Sequence, residues 1–290
     1  MSILIIGGTG HVGAQVVRHL ADRGAAAKIL TTDPAKADLP PGMTPVKGDL
    51  LEPESLRSAL AGVETMFLLA AVSPSELTQS LLALDLAHEA GVGHVVYFSQ
   101  IKLDWPDCPH AVAKAGAEAL LRYRATPATI MRPAYFMQND IALEEPIMGG
   151  TYPIPVGSVG ADMVDIRDIA AIAAIAITEP QALGSDPVIE LVGPATITGT
   201  SAAEIWSEVA GREVRYGGDD ISPAFERQQI AHMPGWQAHD LAAMFRGCQR
   251  EGMTGQPGAA ERLGRALGRP LRSYRAFADE TFDQWRALQD

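Results

Sequence analysis

A glycine-rich segment near the start of the chain has the residue types that bind phosphate. The run Gly7-Gly8-Thr9-Gly10-His11-Val12-Gly13 follows a short apolar segment and opens an amphipathic one. It fits G-x-G-x-x-G, starting at Gly8, and equally G-x-x-G-x-x-G, starting at Gly7. In both spacings, residues without Cβ allow a tight turn, and the next helix offers free N–H groups to a pyrophosphate. Glycine triplets are common, but the strand before and the helix after make this one indicate a dinucleotide site.

The residues about twenty positions further on are expected to contact the adenosine ribose. Asp33, in Thr31-Thr32-Asp33, can accept hydrogen bonds from both ribose hydroxyls, which favours NAD. Thr32 and Lys36 can instead accommodate the 2′-phosphate of NADP, and no arginine stands there, so the choice stays open. Asp49, in Lys47-Gly48-Asp49-Leu50, is either an adenine contact or a helix N-cap or turn residue.

Two polar residues on one helix are candidates for the chemistry. His110 and Lys114 are four positions apart, so they share a helix face after the strand that ends in Tyr97-Phe98-Ser99. A lysine there can bridge the hydroxyls of a nicotinamide ribose, and a histidine can hydrogen-bond a substrate or relay a proton. Taken singly, both residues also fit a solvated helix surface.

Short β-branched runs alternate with helical patterns, which predicts a parallel sheet with helices on both faces. Helices are expected to begin near His11, Pro53, Ser75 and Pro109. The segment Ile166–Ile177 is apolar almost all round and should form a buried helix. The predicted strands cover Ile3–Ile6, Ala27–Thr31, Thr44–Lys47, Met66–Ala70, His94–Phe98, Thr129–Met131 and Val188–Val192.

The remaining segments predict a second region. Gly149–Gly160 is dense in Gly and Pro, which indicates an irregular loop or a short hairpin. After Tyr216 the chain becomes mostly helical. We therefore expect an α/β, doubly wound parallel-sheet Rossmann fold over 1–134 and roughly 165–192. A smaller, mostly helical C-terminal substrate lobe should occupy roughly 135–164 and 193–290.

Composition excludes several classes of function. The 290 residues carry a formal charge of −12, which disfavours nucleic acid, and the basic run Arg262–Arg275 is read as a solvated face. Two cysteines, no leader pattern and no apolar stretch long enough for a bilayer predict a cytoplasmic protein without membrane contact. Metal, hydrolase and NTPase motifs do not occur, so no metal is expected.

Taken together, these motifs resemble the NmrA-like group of atypical short-chain dehydrogenases/reductases. The resemblance covers nearly the whole chain and implies NAD(P) bound between a Rossmann core and a small lobe. In this group His110 stands where ordinary short-chain dehydrogenases have their catalytic tyrosine, while Lys114 is retained. The motifs that carry the resemblance are Gly7–Gly13, Gly48-Asp49-Leu50, Tyr97-Phe98-Ser99, His110…Lys114…Glu118, Thr129-Ile130-Met131-Arg132-Pro133, Asn139, Val164–Ile169 and Leu267-Gly268-Arg269-Pro270.

The resemblance also implies a function. NADP-using members carry arginine at the position of Thr32, so NADP(H) is favoured only slightly and NAD(H) stays open. We expect hydride transfer to an aromatic, quinone-like or azo acceptor, because the tyrosine acid is missing. The alternative is a redox sensor that binds the dinucleotide without turnover and docks on a protein partner. A homodimer is left open, and an enzyme would take a small-molecule acceptor.

The expected site residues form three sets. Lys114 and His110 are the catalytic candidates. The substrate pocket is assigned to Tyr135, Phe136, Gln138 and Trp236, with Trp105, Met148, Tyr152 and His232 as further candidates. The cofactor-binding set is Gly7, Gly8, Thr9, Gly10, His11, Val12, Gly13, Thr32, Asp33, Asp49, Leu50, Ala70, Ser99, Lys114, Pro133, Ala134, Tyr135 and Phe136.

Overall fold

A computed structural model describes residues 1–288 of the chain. The chain divides into two compact units. The first comprises Met1–Arg132 and Arg167–Glu190, and the second comprises Pro133–Ile166 and Leu191–Asp290. The assignment of the first unit to the dinucleotide and of the second to the substrate stays a prediction.

The described residues form nine strands and eleven α-helices. The strands are β1 (Ile3–Ile6), β2 (Ala27–Thr31), β3 (Met43–Lys47), β4 (Thr65–Leu68), β5 (His94–Phe98), β6 (Ala128–Pro133), β7 (Thr151–Tyr152), β8 (Val188–Leu191) and β9 (Arg215–Tyr216). The helices are α1 (His11–Asp22), α2 (Pro53–Leu60), α3 (Glu76–Glu89), α4 (Pro109–Arg124), α5 (Glu144–Met148), α6 (Ile166–Thr178), α7 (Gly199–Ala210), α8 (Pro223–Gln229), α9 (Gly235–Glu251), α10 (Ala259–Leu267) and α11 (Tyr274–Ala287). Three 3₁₀-helices cover Pro34–Lys36, Met137–Leu143 and Pro180–Leu183.

Seven strands form one sheet in the order β3-β2-β1-β4-β5-β6-β8. The pairs β2–β3, β1–β2, β1–β4, β4–β5 and β5–β6 are all parallel. The strand order reverses beside β1, and in such sheets ligands bind at the carboxyl ends of the strands next to that reversal. The predicted doubly wound, Rossmann-type α/β class is confirmed.

Helices cover both faces of this sheet. On one face, side chains of α2, α3 and α4 share a buried core with Leu4, Ile6 and Leu30 of the strands. On the other face lie α1 and α6, whose C-terminal ends are joined by an Arg23–Glu179 ion pair of 2.6 Å. Leu4 and Ile6 alternate with Ile3 and Ile5 along a fully buried strand, because both faces of a parallel sheet are covered.

Most predicted elements of the first unit agree with the structure within two residues at each end. The Gly149–Gly160 segment differs, because Thr151 and Tyr152 form β7, which pairs in parallel with Arg215 and Tyr216 of β9. The hairpin alternative was therefore wrong: the partner strand lies far along the chain, and a local Gly/Pro pattern cannot reveal it. Within residues 1–288, no helix combines the length and the apolar character needed to cross a membrane.

Candidate functional site

The turn between β1 and α1 requires glycine at two positions. Gly7 has φ +84°, and a Cβ there would lie 2.3 Å from the carbonyl oxygen of Leu69. A Cβ on Gly13 would lie 2.0 Å from the carbonyl oxygen of Gly7, so the first turn of α1 packs directly on the loop. Gly8 has another role, since its Cβ would meet Ile29 at 2.8 Å in the packing of α1 on the sheet. The backbone therefore depends most strongly on Gly7 and Gly13.

Gly10 leaves an open surface at the start of α1. Its N–H donates to the carbonyl oxygen of Gly7 at 3.1 Å, and a Cβ there would approach only that oxygen, at 3.5 Å. Gly10 is the N-cap and has no side chain to occupy the free N–H groups, and the first turn has no acidic residue. Thr9, Gly10 and His11 are exposed, whereas Val12 is buried. This open, positively polarised surface suits the pyrophosphate of a dinucleotide.

The predicted ribose and adenine contacts lie at the ends of β2 and β3. Asp33 pairs with Lys36 at 3.0 Å, and Thr32 beside it is exposed. Asp49 is a turn residue, since its Oδ1 accepts a hydrogen bond from the N–H of Leu51 at 2.9 Å, while the N-cap of α2 is Glu52. The N-cap alternative for Asp49 is therefore wrong, and the adenine contact stays a prediction.

Lys114 lies buried at the carboxyl end of β5. Its Nζ donates to the carbonyl oxygen of Phe98 at 2.9 Å and pairs with Oε1 of Glu76 at 2.8 Å. The ammonium also lies 5.6 Å from the ring centroid of Tyr97, within cation–π range. These four residues are called the Lys114 cluster below. An ammonium has three donors, so the hydrogen bond to Phe98 leaves N–H groups for a ligand.

A second buried charge network lies beside this cluster. Glu118 is completely buried and accepts hydrogen bonds from Arg132 Nε at 2.9 Å and from Ser99 Oγ at 2.6 Å. The bidentate carboxylate raises the pKa of Arg132 above its usual range. Ser99, predicted as a cofactor contact, thus has its hydroxyl proton directed at Glu118. The network ties α4 to the ends of β5 and β6.

His110 is half-buried in the first turn of α4, one turn before Lys114. Its Nδ1 lies 3.3 Å from Sγ of Cys108, the N-cap residue. The structure therefore holds both catalytic candidates on one helix of the first unit, as their spacing predicts. Ala70, just beyond β4, is buried, and Leu50 is half-buried.

The predicted substrate residues of the second unit have different environments. Tyr135 is buried and tilts against Phe245, with ring centroids 6.1 Å apart, and burial raises the pKa of its phenol. Gln138 accepts a hydrogen bond from the N–H of Ile166 at 2.9 Å and so supports the start of α6. Phe136 is half-buried and Trp236 is 39% exposed. Pro133 and Ala134 are buried beside them in the chain.

The further pocket candidates do not form one group. Tyr152 is fully buried and donates to Asp140, while Met148 is half-buried and His232 exposed. Trp105 is fully buried in the first unit. One cavity of about 200 Å³ in the second unit is lined by Asp162 and the segments 192–196 and 255–261, which include none of the predicted pocket residues.

Two important residues were missed from the sequence. Glu76 gave no signal, because an acidic residue in the first turn of a helix normally lies in solvent beside the positive end of the dipole. Phe245 contacts Tyr135 across about a hundred positions of sequence, which no local pattern reveals.

The chain belongs to the NmrA-like family, whose model matches residues 1–269. This confirms the family predicted from the motifs. An NAD(P)H azoreductase from Xenophilus azovorans is 30% identical over 281 residues, which are 95% of this chain and 96% of that protein.

Solved structures share the fold over the whole chain. An NADPH-dependent quinone oxidoreductase from Escherichia coli, complexed with NADPH, has a TM-score of 0.84 at 24% identity and covers 97% of this chain and 99% of its own. NmrA, a negative transcriptional regulator in complex with NADP, has a TM-score of 0.77 at 17% identity, covering 99% of this chain and 98% of its own. At these identities the likeness concerns the fold.

Proposed function

We propose that this protein is an NAD(P)H-dependent oxidoreductase that transfers hydride to an aromatic, quinone-like or azo acceptor. The observation that carries the proposal is the buried ammonium of Lys114, which is fixed at the carboxyl end of β5 and keeps donors for a ligand. The glycine loop with its open, positively polarised surface belongs to the same unit. The whole-length relative named as an azoreductase and the fold shared with a quinone oxidoreductase support this acceptor class.

The residues would divide the work of binding and positioning. The bound dinucleotide would supply the hydride. The N–H groups at the start of α1 would hold the pyrophosphate, and a remaining N–H of Lys114 would bind the nicotinamide ribose. His110 would donate a hydrogen bond to the acceptor or protonate it. An acceptor that needs little acid assistance fits best, because His110 replaces the tyrosine of ordinary short-chain dehydrogenases. Catalysis would rest on holding two reactants face to face.

The adenosine end is compatible with both nucleotides, with NADP(H) slightly favoured. Lys36 is 85% exposed in its side chain and can turn towards a 2′-phosphate, while Asp33 can accept hydrogen bonds from a free ribose. Because the two side chains pair with each other, either can be released to meet the nucleotide that binds.

The test follows NADPH and NADH oxidation by absorbance with a soluble benzoquinone, an azo dye and an aromatic enone. We expect steady turnover with one acceptor class and a lower KM for NADPH than for NADH. Calorimetric titration of NADPH and NADP⁺ on the same sample gives their affinities. Tight binding without turnover across the panel would overturn the enzyme assignment in favour of the redox sensor. The observation that favours this alternative is the fold likeness of the chain to NmrA.

A further inference from the structure

A buried acid and a buried base face each other in the first unit. The side chain of Glu76 is 2% exposed and that of Lys114 is 6% exposed, and Oε1 and Nζ are 2.8 Å apart. Glu76 is the first residue of α3, whereas Lys114 lies in the middle of α4. The pair therefore joins two helices at one end of the sheet, where Phe98 ends β5.

This arrangement is unusual for a pair whose purpose is stability. Taking both charges out of water opposes folding, and the attraction between them roughly offsets that penalty only when the geometry is good. A well-packed apolar pair could serve the same helix contact. Retention of both charges is expected where the ammonium itself is used, because the attraction of a neighbouring carboxylate offsets the cost of burying it.

We propose that Glu76 is a positioning residue for cofactor binding: it orients the ammonium of Lys114 so that a donor not used by Phe98 faces the ribose of the dinucleotide. The inference rests on the proposed role of Lys114. The ion pair with Glu76 and the hydrogen bond to the Phe98 carbonyl hold the ammonium from two elements, α3 and β5, and so determine its position. Without Glu76, the flexible four-carbon stem would hold Nζ by a single hydrogen bond.

The other polar groups around the ammonium do not replace Glu76 as its counter-ion. Tyr97 of β5 is neutral, because burial raises the pKa of its phenol well above the usual value. Glu118 of α4 faces Arg132 and Arg122. His110 lies one turn away on α4.

The experiment compares wild type with Glu76→Gln, which keeps shape and an acceptor but removes the charge. NADPH is titrated by calorimetry, and steady-state rates with a benzoquinone are measured at neutral pH. We expect the KM for NADPH to rise about tenfold or more, on the order of the effect of a lost interaction with a charged group. The KM for the quinone should change little.

Three further variants keep the test decisive. Glu179→Gln breaks the exposed pair with Arg23 in the same unit and should behave as wild type. Glu76→Asp restores the charge and should recover part of the NADPH affinity, even if Glu76→Gln folds poorly. Lys114→Met tests the premise, and it should weaken NADPH binding.

Each outcome has one meaning. If Lys114→Met binds and oxidises NADPH like wild type, the proposed role of Lys114 is wrong. If Lys114→Met is impaired but Glu76→Gln matches wild type, the positioning role of Glu76 is overturned. A loss in Glu76→Gln that extends equally to the KM for the quinone and is not recovered in Glu76→Asp would also contradict it, since a merely structural contact predicts that pattern.

Discussion

The two units each bury a carboxylate, and they satisfy it in different ways. In the Lys114 cluster, Glu76 faces an ammonium. In the second unit, Asp140 is fully buried and its Oδ2 accepts hydrogen bonds from Tyr152 at 3.0 Å and from Tyr274, both neutral donors. The indole of Trp206 donates to Tyr274 at 2.9 Å, which completes a four-residue Asp140 cluster.

The difference between the clusters lies in their charge at neutral pH. Burial raises the pKa of Asp140 to about 7, and the hydrogen bonds from Tyr274 and Tyr152 only partly oppose it. Asp140 therefore carries a proton over most of the acidic range, and its network joins the 3₁₀-helix Met137–Leu143 to β7, α7 and α11. A cation keeps a buried carboxylate ionised and available for function, whereas neutral donors leave it close to a titration point and suited to structure.

The largest expected effect concerns the glycine loop of the first unit. Gly13→Ala places a Cβ 2.0 Å from the Gly7 oxygen, so we expect NADPH affinity to fall by at least about 100-fold and the fold to be destabilised. Gly10→Ala is the matched variant, because φ is −84° and the backbone has room. It should lose affinity about tenfold, with stability within about 1 kcal/mol of wild type. Calorimetry measures the NADPH affinity and urea unfolding measures the stability. Equal NADPH affinity in wild type, Gly13→Ala and Gly10→Ala would argue against a pyrophosphate at this turn.

Variants of the Lys114 cluster distinguish its contribution to folding stability from its contribution to turnover. Lys114→Met leaves the Glu76 carboxylate buried beside a thioether and should lower the free energy of unfolding by about 3–5 kcal/mol. The double variant Glu76→Gln/Lys114→Met removes both charges and should recover most of that loss. Urea unfolding at neutral pH measures both. Simple addition of the two single effects would show that the residues are not coupled.

The Asp140 cluster should make the free energy of unfolding depend on pH. Because the pKa of Asp140 is raised in the folded protein, the folded state binds its proton more tightly than the unfolded chain does. The contribution of Asp140 to stability is therefore greatest below about pH 4, falls by up to about 4 kcal/mol as pH rises to 7, and is flat beyond that. Asp140→Asn should remove this slope, which urea unfolding as a function of pH will show. A variant that retains the full wild-type slope would assign it to other groups.

The smallest expected effect is on nucleotide choice. Lys36→Ala should raise the KM for NADPH severalfold and leave that for NADH unchanged, because the exposed side chain contributes only about 1 kcal/mol to phosphate binding. Asp33→Asn should lower the KM for NADPH, because it removes a negative charge from the vicinity of the phosphate. Steady-state kinetics with both nucleotides measures this, and a Lys36→Ala effect on NADH alone would contradict the assignment.

Local patterns predicted most of the first unit. The Rossmann-type class, the strand before Gly7 and the helix from His11 follow from periodicity and turn chemistry, which depend on near neighbours in the chain. The spacing of Lys114 and His110 predicted that they share a helix face, and the family resemblance gave them their proposed roles. Glu76 could not be, because its burial depends on where α3 packs on α4, which no short window contains.

Less of the second unit was predictable. The pairing of β7 with β9 and the Tyr135–Phe245 contact both join residues far apart along the chain. Asp140 stands in a stretch whose sequence pattern resembles an ordinary loop. Its two tyrosine partners are Tyr152 of β7 and Tyr274 of α11, which lie far from it along the chain. Asp140 is stabilised in its buried position by partners far away in the chain, so the local sequence could not predict it.

The most direct test of the reductase assignment compares quinone-dependent NADPH oxidation by wild type and by the Glu76→Gln/Lys114→Met double variant, after both are shown to be folded. If the buried ammonium binds the cofactor ribose, wild type should turn over and the double variant should be slower by at least about 100-fold, since correct placement of the reactants is lost. Equal turnover by the two proteins would contradict the central role of Lys114. A wild type that binds NADPH but never oxidises it would contradict the assignment as an enzyme.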